Sequence, residues 1–289
     1  MPRPPLPVRP SFTVLAVAIA IIVIISLSIH VTMLQVLWIP YPDASGVGRL
    51  GLLYPLAQAL GLVALAAAAL PSLRSFHPIT RGLIVAALFA AMNGIVRNAL
   101  MAGFVTTDFR GSVGGFVHQA LLDVIFALIA TVVVTYLRNT GLRIAAAVLM
   151  TALGTFYLNS TLGSLLAPLM AWSAQHMHAD VYKVPYGANV LVPSYLLFAE
   201  TVIACFVARC IIRLRHASWD PTGIIRYVGL ILLVRGTWVM MFAWGPIIGM
   251  VSVSQFFLQD LVMAGLIHLT WQRLILTGNR QSGEPQLDR

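Results

Sequence analysis

Eight apolar runs, each about twenty residues or longer, divide this 289-residue chain and restrict its fold more than any other feature. They lie near 12–39, 51–72, 82–105, 114–137, 144–171, 191–212, 224–249 and 252–272. A helix rises 1.5 Å per residue, so runs of this length cross a hydrocarbon core roughly 30 Å thick. Only 9% of the residues are charged, against about 25% in a soluble domain. A soluble fold of this size could not cover its surface with so few charges, and the mean hydropathy of +0.89 agrees. Backbone N–H and C=O groups in lipid must be satisfied within the protein, so spans are helices or closed barrels. Barrel strands are alternating segments of about ten residues, shorter than these runs. The expected fold is therefore an all-α polytopic transmembrane helical bundle of eight spans.

The net charge is +9, which in a soluble protein would suggest nucleic acid. Here the basic residues cluster at the ends of the apolar runs, where they act as topology signals facing anionic lipid. No nucleic-acid partner is expected. With the N-terminus inside, thirteen of the eighteen basic residues fall in inner segments and three, Arg49, Arg110 and Lys183, in outer loops. That bias predicts an inner-membrane protein with both ends in the cytoplasm. The proline-rich start carries Arg3 and Arg9, but the following apolar stretch is too long for a signal peptide and reads as a retained first span. Cys205 and Cys210, five apart in one helix, read as apolar fillers and not as a disulfide or metal pair.

The two halves show matching landmarks. Pro40-Tyr41 and Pro185-Tyr186 are 145 apart, Gln58 and Glu200 142, Ile95-Val96-Arg97 and Leu233-Val234-Arg235 138, and Asp123 and Asp260 137. An even number of spans per half predicts a 4+4 repeat with a pseudo-two-fold along the membrane normal. The expected organisation is a cytoplasmic segment 1–11, a first four-span repeat 12–138, a second 139–276 and a disordered cytoplasmic tail 277–289.

Five full charges fall inside the spans: Arg97, Asp123, Glu200, Arg235 and Asp260. Each costs at least ~2.5–3.5 kcal/mol at mid-membrane, so each should face the interior and pair. Similar depth suggests Arg97 with Asp123. Arg235, deeper, is long enough to reach Asp260 or Glu200. Three carboxylates against two arginines leave one acid over, and Glu200 is the candidate because its counterpart Gln58 is neutral. Either these charges lock helices together, or they line a chamber in which arginines take an anion and carboxylates carry protons.

His30, His118, His176 and His178 all fall on the outer half and are the candidate metal ligands. His176-x-His178 in a loop is a weak metal pattern, and His30 with His118 on different helices is the arrangement haem ligation would need. The sequence fixes no cofactor. Gly245-Pro246 should break the seventh span. Trp38, Trp172, Trp244 and Trp271 read as interfacial. Phosphate-loop, zinc-protease and serine-elbow motifs are absent from the sequence.

The leading expectation is a transporter or permease for a small, anionic solute, with proton coupling. Substrate contact or proton coupling falls to Arg97, Asp123, Glu200, Arg235, Asp260, Gln58 and His118. A rival is a non-catalytic membrane subunit or sensor holding a partner, or another copy of itself, through intramembrane charges. Such a subunit would carry its polar residues on an outward stripe. A third is a membrane enzyme or haem protein acting on a lipid or quinone. Lipid is a partner in every case.

Overall fold

The computed structural model describes residues 11–41, 52–106, 108–177, 185–212, 221–237 and 247–281. Among the described residues the ordered elements are all helical. In chain order they are α1 (Phe12–Gln35), α2 (Leu53–Leu73), α3 (Pro78–Met92), α4 (Ile95–Thr106), α5 (Arg110–Tyr136) and α6 (Thr140–Leu153). A π-turn (Gly154–Leu158) leads to α7 (Asn159–Leu165) and α8 (Ala167–Ala174). Then come α9 (Ala188–Ile211), α10 (Pro221–Arg235) and α11 (Ile247–Gln281). Local sequence sets several of these starts. The Ser11 hydroxyl accepts from the Val14 N–H at 3.3 Å, and Asn139 Oδ1 accepts from the Gly141 N–H at 2.7 Å. Pro78 opens α3, where its missing N–H is harmless.

Six helices are long and apolar enough to cross a membrane: Phe12–Gln35, Leu53–Leu73, Arg110–Tyr136, Thr140–Leu165, Ala188–Ile211 and Gly249–Leu274. A seventh crossing is available if α3 and α4, bent by 43°, count as one broken span. Multi-pass membrane architecture is thus plain, but two of the eight expected spans show no continuous helix of crossing length among the described residues. The run at 82–105 breaks at Asn93-Gly94, and the run at 224–249 breaks after Arg235. At both points a glycine takes positive φ, +68° at Gly94 and +67° at Gly236. A left-handed residue ends a helix, and glycine adopts it without Cβ strain. α10 is 15 residues long, about 22 Å at 1.5 Å per residue. Gly245-Pro246, the break expected in that span, lies outside the described residues, as do His178 and Trp244.

Packing places α2, α3, α9, α10 and α11 at the centre, where Leu65, Met92, Val202, Ile231 and Met263 are fully buried. α2 lies against α5, α6 and α10. α3 lies against α5 and α9. α1 lies against α9 and α11, and α5 against α8. A Cβ on Gly61 would stand 2.6 Å from the Val234 backbone, so the α2–α10 approach depends on a small residue there. Trp38 and Trp172 are exposed, as interfacial residues should be, whereas Trp271 packs edge-on against Phe206 at 5.8 Å.

Candidate functional site

The break between α3 and α4 organises the charged residues. In an unbroken helix the N–H groups of Val96 and Arg97 would bond to the carbonyls of Met92 and Asn93. Instead both reach the Glu200 carboxylate from α9, at 3.2 and 2.5 Å. Glu200 thus caps α4, where a negative charge also meets the positive end of the helix dipole. The freed Met92 carbonyl accepts from Arg235 Nη1. Arg235 Nε donates to Asp260 Oδ2 at 2.6 Å, with Arg235 8% and Asp260 0% exposed. Asn93 contributes too: its Nδ2 donates to the Phe89 carbonyl and its Oδ1 accepts from Gln58 Nε2. Non-helical backbone at membrane depth persists only where the protein satisfies it. Here a carboxylate, a guanidinium and an amide do so.

The expected Arg97–Asp123 pair does not form. Among the described residues the salt bridges are Arg235–Asp260 and the loop pair Arg110–Asp108. The Arg97 guanidinium lies over the Gly94 turn, where a Cβ would meet its Nε at 3.0 Å. Its Nη2 reaches Asn98 Oδ1 at 3.5 Å, and its charge sits 5.5 Å from the centre of the Phe198 ring. Arg97 and Arg235 both line a cavity of about 1040 Å3 among α1, α4, α9 and α11, with His30, Tyr41, Asn98, Ser194 and Gln259.

One wall of this cavity is built by the end of α1. Trp38 takes φ +53°, a left-handed turn uncommon for a bulky residue. The Pro40 carbonyl beyond it accepts from Gln255 Nε2 at 3.2 Å and from the Ser252 hydroxyl. This brings Tyr41 against Phe256, ring centres 5.5 Å apart, with His30 stacked on the same ring at 4.8 Å.

Asp123 and Gln58 line a separate cavity of about 300 Å3. His118 Nε2 lies 3.4 Å from the Asn159 carbonyl, and His176 Nδ1 is 2.8 Å from the Trp172 carbonyl. His30 and His118 are therefore engaged by different neighbours. No cluster of three or more histidine, cysteine or acidic residues suited to a metal occurs among the described residues.

The sequence reading missed the two glycines and the backbone amides that Glu200 holds. It also gave no site role to Tyr54, whose hydroxyl accepts from Gln58 Nε2 at 3.0 Å and whose ring presses on Gly236. An Asn-Gly pair inside an apolar run was the available signal.

No family model, curated protein or solved structure matches this chain. Its geometry alone carries the functional reading.

Proposed function

We propose that the chain is an inner-membrane transporter or permease for a small anionic solute, which binds in the 1040 Å3 cavity at Arg97. The observation that carries this is the state of the Arg97 guanidinium: it lines the cavity and makes no salt bridge with a described residue. A cation held in a low-dielectric wall is stabilised by an opposite charge. Arg235 has its own in Asp260, whereas Arg97 leaves the place to a ligand. A bidentate guanidinium suits a carboxylate or phosphate group. The cavity is amply large for such a solute, and a broken helix beside an intramembrane charge is a feature of transporter sites. Asp123, Arg235 and Asp260 are buried in the bundle, not arrayed on an outward stripe, which favours this reading over a partner-binding subunit.

In this reading eight spans form two four-span halves, with both ends in the cytoplasm. Packing partners that exchange between halves support it: α2 meets α10 as α9 meets α3, and α1 meets α9 as α6 meets α2. The left-handed glycines, 94 and 236, stand 142 apart, the same offset as Gln58 and Glu200. In that register Arg235 corresponds to Asn93 and not to Arg97. The likeness of Ile95-Val96-Arg97 to Leu233-Val234-Arg235 then joins a helix start to a helix end.

The test is exchange of small carboxylates and phosphate esters, followed by mass spectrometry, in proteoliposomes. The wild type should move at least one of these anions above empty liposomes, and Arg97→Gln should reduce that flux at least tenfold while unfolding at nearly the wild-type temperature. Equal flux through Arg97→Gln would sink the proposal.

A further inference from the structure

The smaller cavity shares no lining residue with the larger one. It lies among α2, α3, α5, α6 and the π-turn, with Asp123, Gln119, Gln58, Tyr54, Phe89 and Phe126 in its wall. Asp123 is 3% exposed. Gln119 Nε2 donates to its Oδ1 at 2.9 Å, but Oδ2 is buried and has no hydrogen-bond partner. Asp123 takes part in neither salt bridge of the described residues. Oδ2 thus lacks a donor and the carboxylate lacks a counter-charge among the described residues, and burial makes each lack costly.

The surrounding groups narrow what supplies them. Gln58 uses its Nε2 on Tyr54 and Asn93, which leaves its amide oxygen as an acceptor. Phe89 and Phe126 set aromatic rings in the wall, and aromatic rings attract cations. The Phe126 ring packs under Gly154, the first residue of the π-turn, where a Cβ would come within 2.5 Å. Such turns recur at functional sites. The volume is about that of ten waters at ~30 Å3 each, far beyond the need of a bare metal ion, and much of the wall is apolar.

We infer that this cavity binds a small organic cation: a primary ammonium, its N–H donors on Asp123 Oδ2 and the amide oxygens, its short apolar or aromatic tail against Phe89 and Phe126. An ammonium brings three donors and one positive charge, which answers both deficits of Asp123. This site is independent of anion binding at Arg97.

Isothermal titration of the full chain in phosphatidylcholine nanodiscs tests it, with 2-phenylethylammonium, the neutral 2-phenylethanol and sodium chloride as probes. The ammonium should bind saturably, the alcohol at least tenfold more weakly, and Asp123→Asn should weaken ammonium binding at least tenfold. The inference is overturned if the ammonium gives no saturable heat, if the alcohol binds equally well, if sodium displaces the ammonium at lower concentration, or if Asp123→Asn binds like the wild type. Should Asp123→Asn not fold, the contrast between ammonium and alcohol on the wild type decides.

Discussion

Arg235 closes α10 and Arg97 opens α4, each within three residues of a left-handed glycine, yet their surroundings differ. Arg235 is enclosed, its guanidinium divided between Asp260 and the carbonyl that the broken α3 leaves free. Arg97 sits at a cavity wall over a phenylalanine ring, with an asparagine as its polar neighbour. Glu200, nearest in the logic of charge, is occupied by the backbone amides of Val96 and Arg97. Residue type and membrane depth therefore do not decide what an intramembrane arginine does. What differs is how each meets the one break between α3 and α4: Arg235 reaches across from α10 to the Met92 carbonyl that the break frees, whereas Arg97, beside the break, lies over its turn. Arg235 answers an orphan carbonyl. Arg97 follows orphan amides, which take the Glu200 carboxylate, and its own guanidinium makes no salt bridge with a described residue.

That contrast is broken most severely by removing the paired arginine. Arg235→Met leaves Asp260 buried without its cation, and losing one partner of a buried pair costs about 3–5 kcal/mol. Thermal unfolding in detergent should show this, and adding Asp260→Leu should recover most of it, because the apolar pair leaves no stranded charge. If Arg235→Met is no more harmful than Arg97→Gln, the division between a structural and a ligand-facing arginine is wrong.

The glycines sharpen the comparison at a smaller scale. A left-handed alanine costs about 1–2 kcal/mol at either site, but the neighbours differ. At Gly236 a Cβ would lie 2.6 Å from the Tyr54 ring, which is tied to Gln58. At Gly94 the atoms it would meet first belong to the flexible end of Arg97, at 3.0 Å. Gly236→Ala should therefore lower the unfolding temperature more than Gly94→Ala. Gly94→Ala should instead weaken binding of the proposed anion, because it displaces the guanidinium. Equal stability losses would mean that Tyr54 yields freely.

Much of this was legible in the sequence, but not evenly. Helical membrane architecture followed from apolar runs too long for strands and too rich for water, and α1, α2, α5 and α9 lie close to the runs that announced them. The breaks were hidden because hydropathy averages over a window and glycine is apolar. The run at 82–105 reads as continuous although its backbone turns at Gly94. Depth and side-chain length allowed Arg235 either Asp260 or Glu200, and the structure pairs it with Asp260. The role of Glu200 was not legible, since its partners are amides, and amides have no letter in the sequence until a helix is known to break. The Arg97–Arg235 match compared side chains without the turns beside them, and the left-handed glycines 94 and 236 give a different offset, 142 in place of 138.

A third arginine–carboxylate pair sets the lower end of the scale. Arg110 Nε and Nη2 donate to Asp108 at 2.9 and 3.0 Å, the same chemistry as Arg235–Asp260, but with Arg110 60% exposed. The side-chain hydrogen bonds from Arg110 hold the Asp108 carboxyl at about 2, below its usual 3.8. A depressed acid lends stability above its unfolded pKa, and that contribution is lost as pH falls from about 4 through about 2. Water and salt screen such a pair, so it contributes little to stability. Asp108→Asn should therefore leave the unfolding temperature nearly unchanged at neutral pH, and 0.5 M salt should erase what difference there is. A loss approaching that of Arg235→Met would show that solvent exposure is not what separates the two pairs. The distinction between a charge that holds a broken helix together and one that merely borders it would then need another cause.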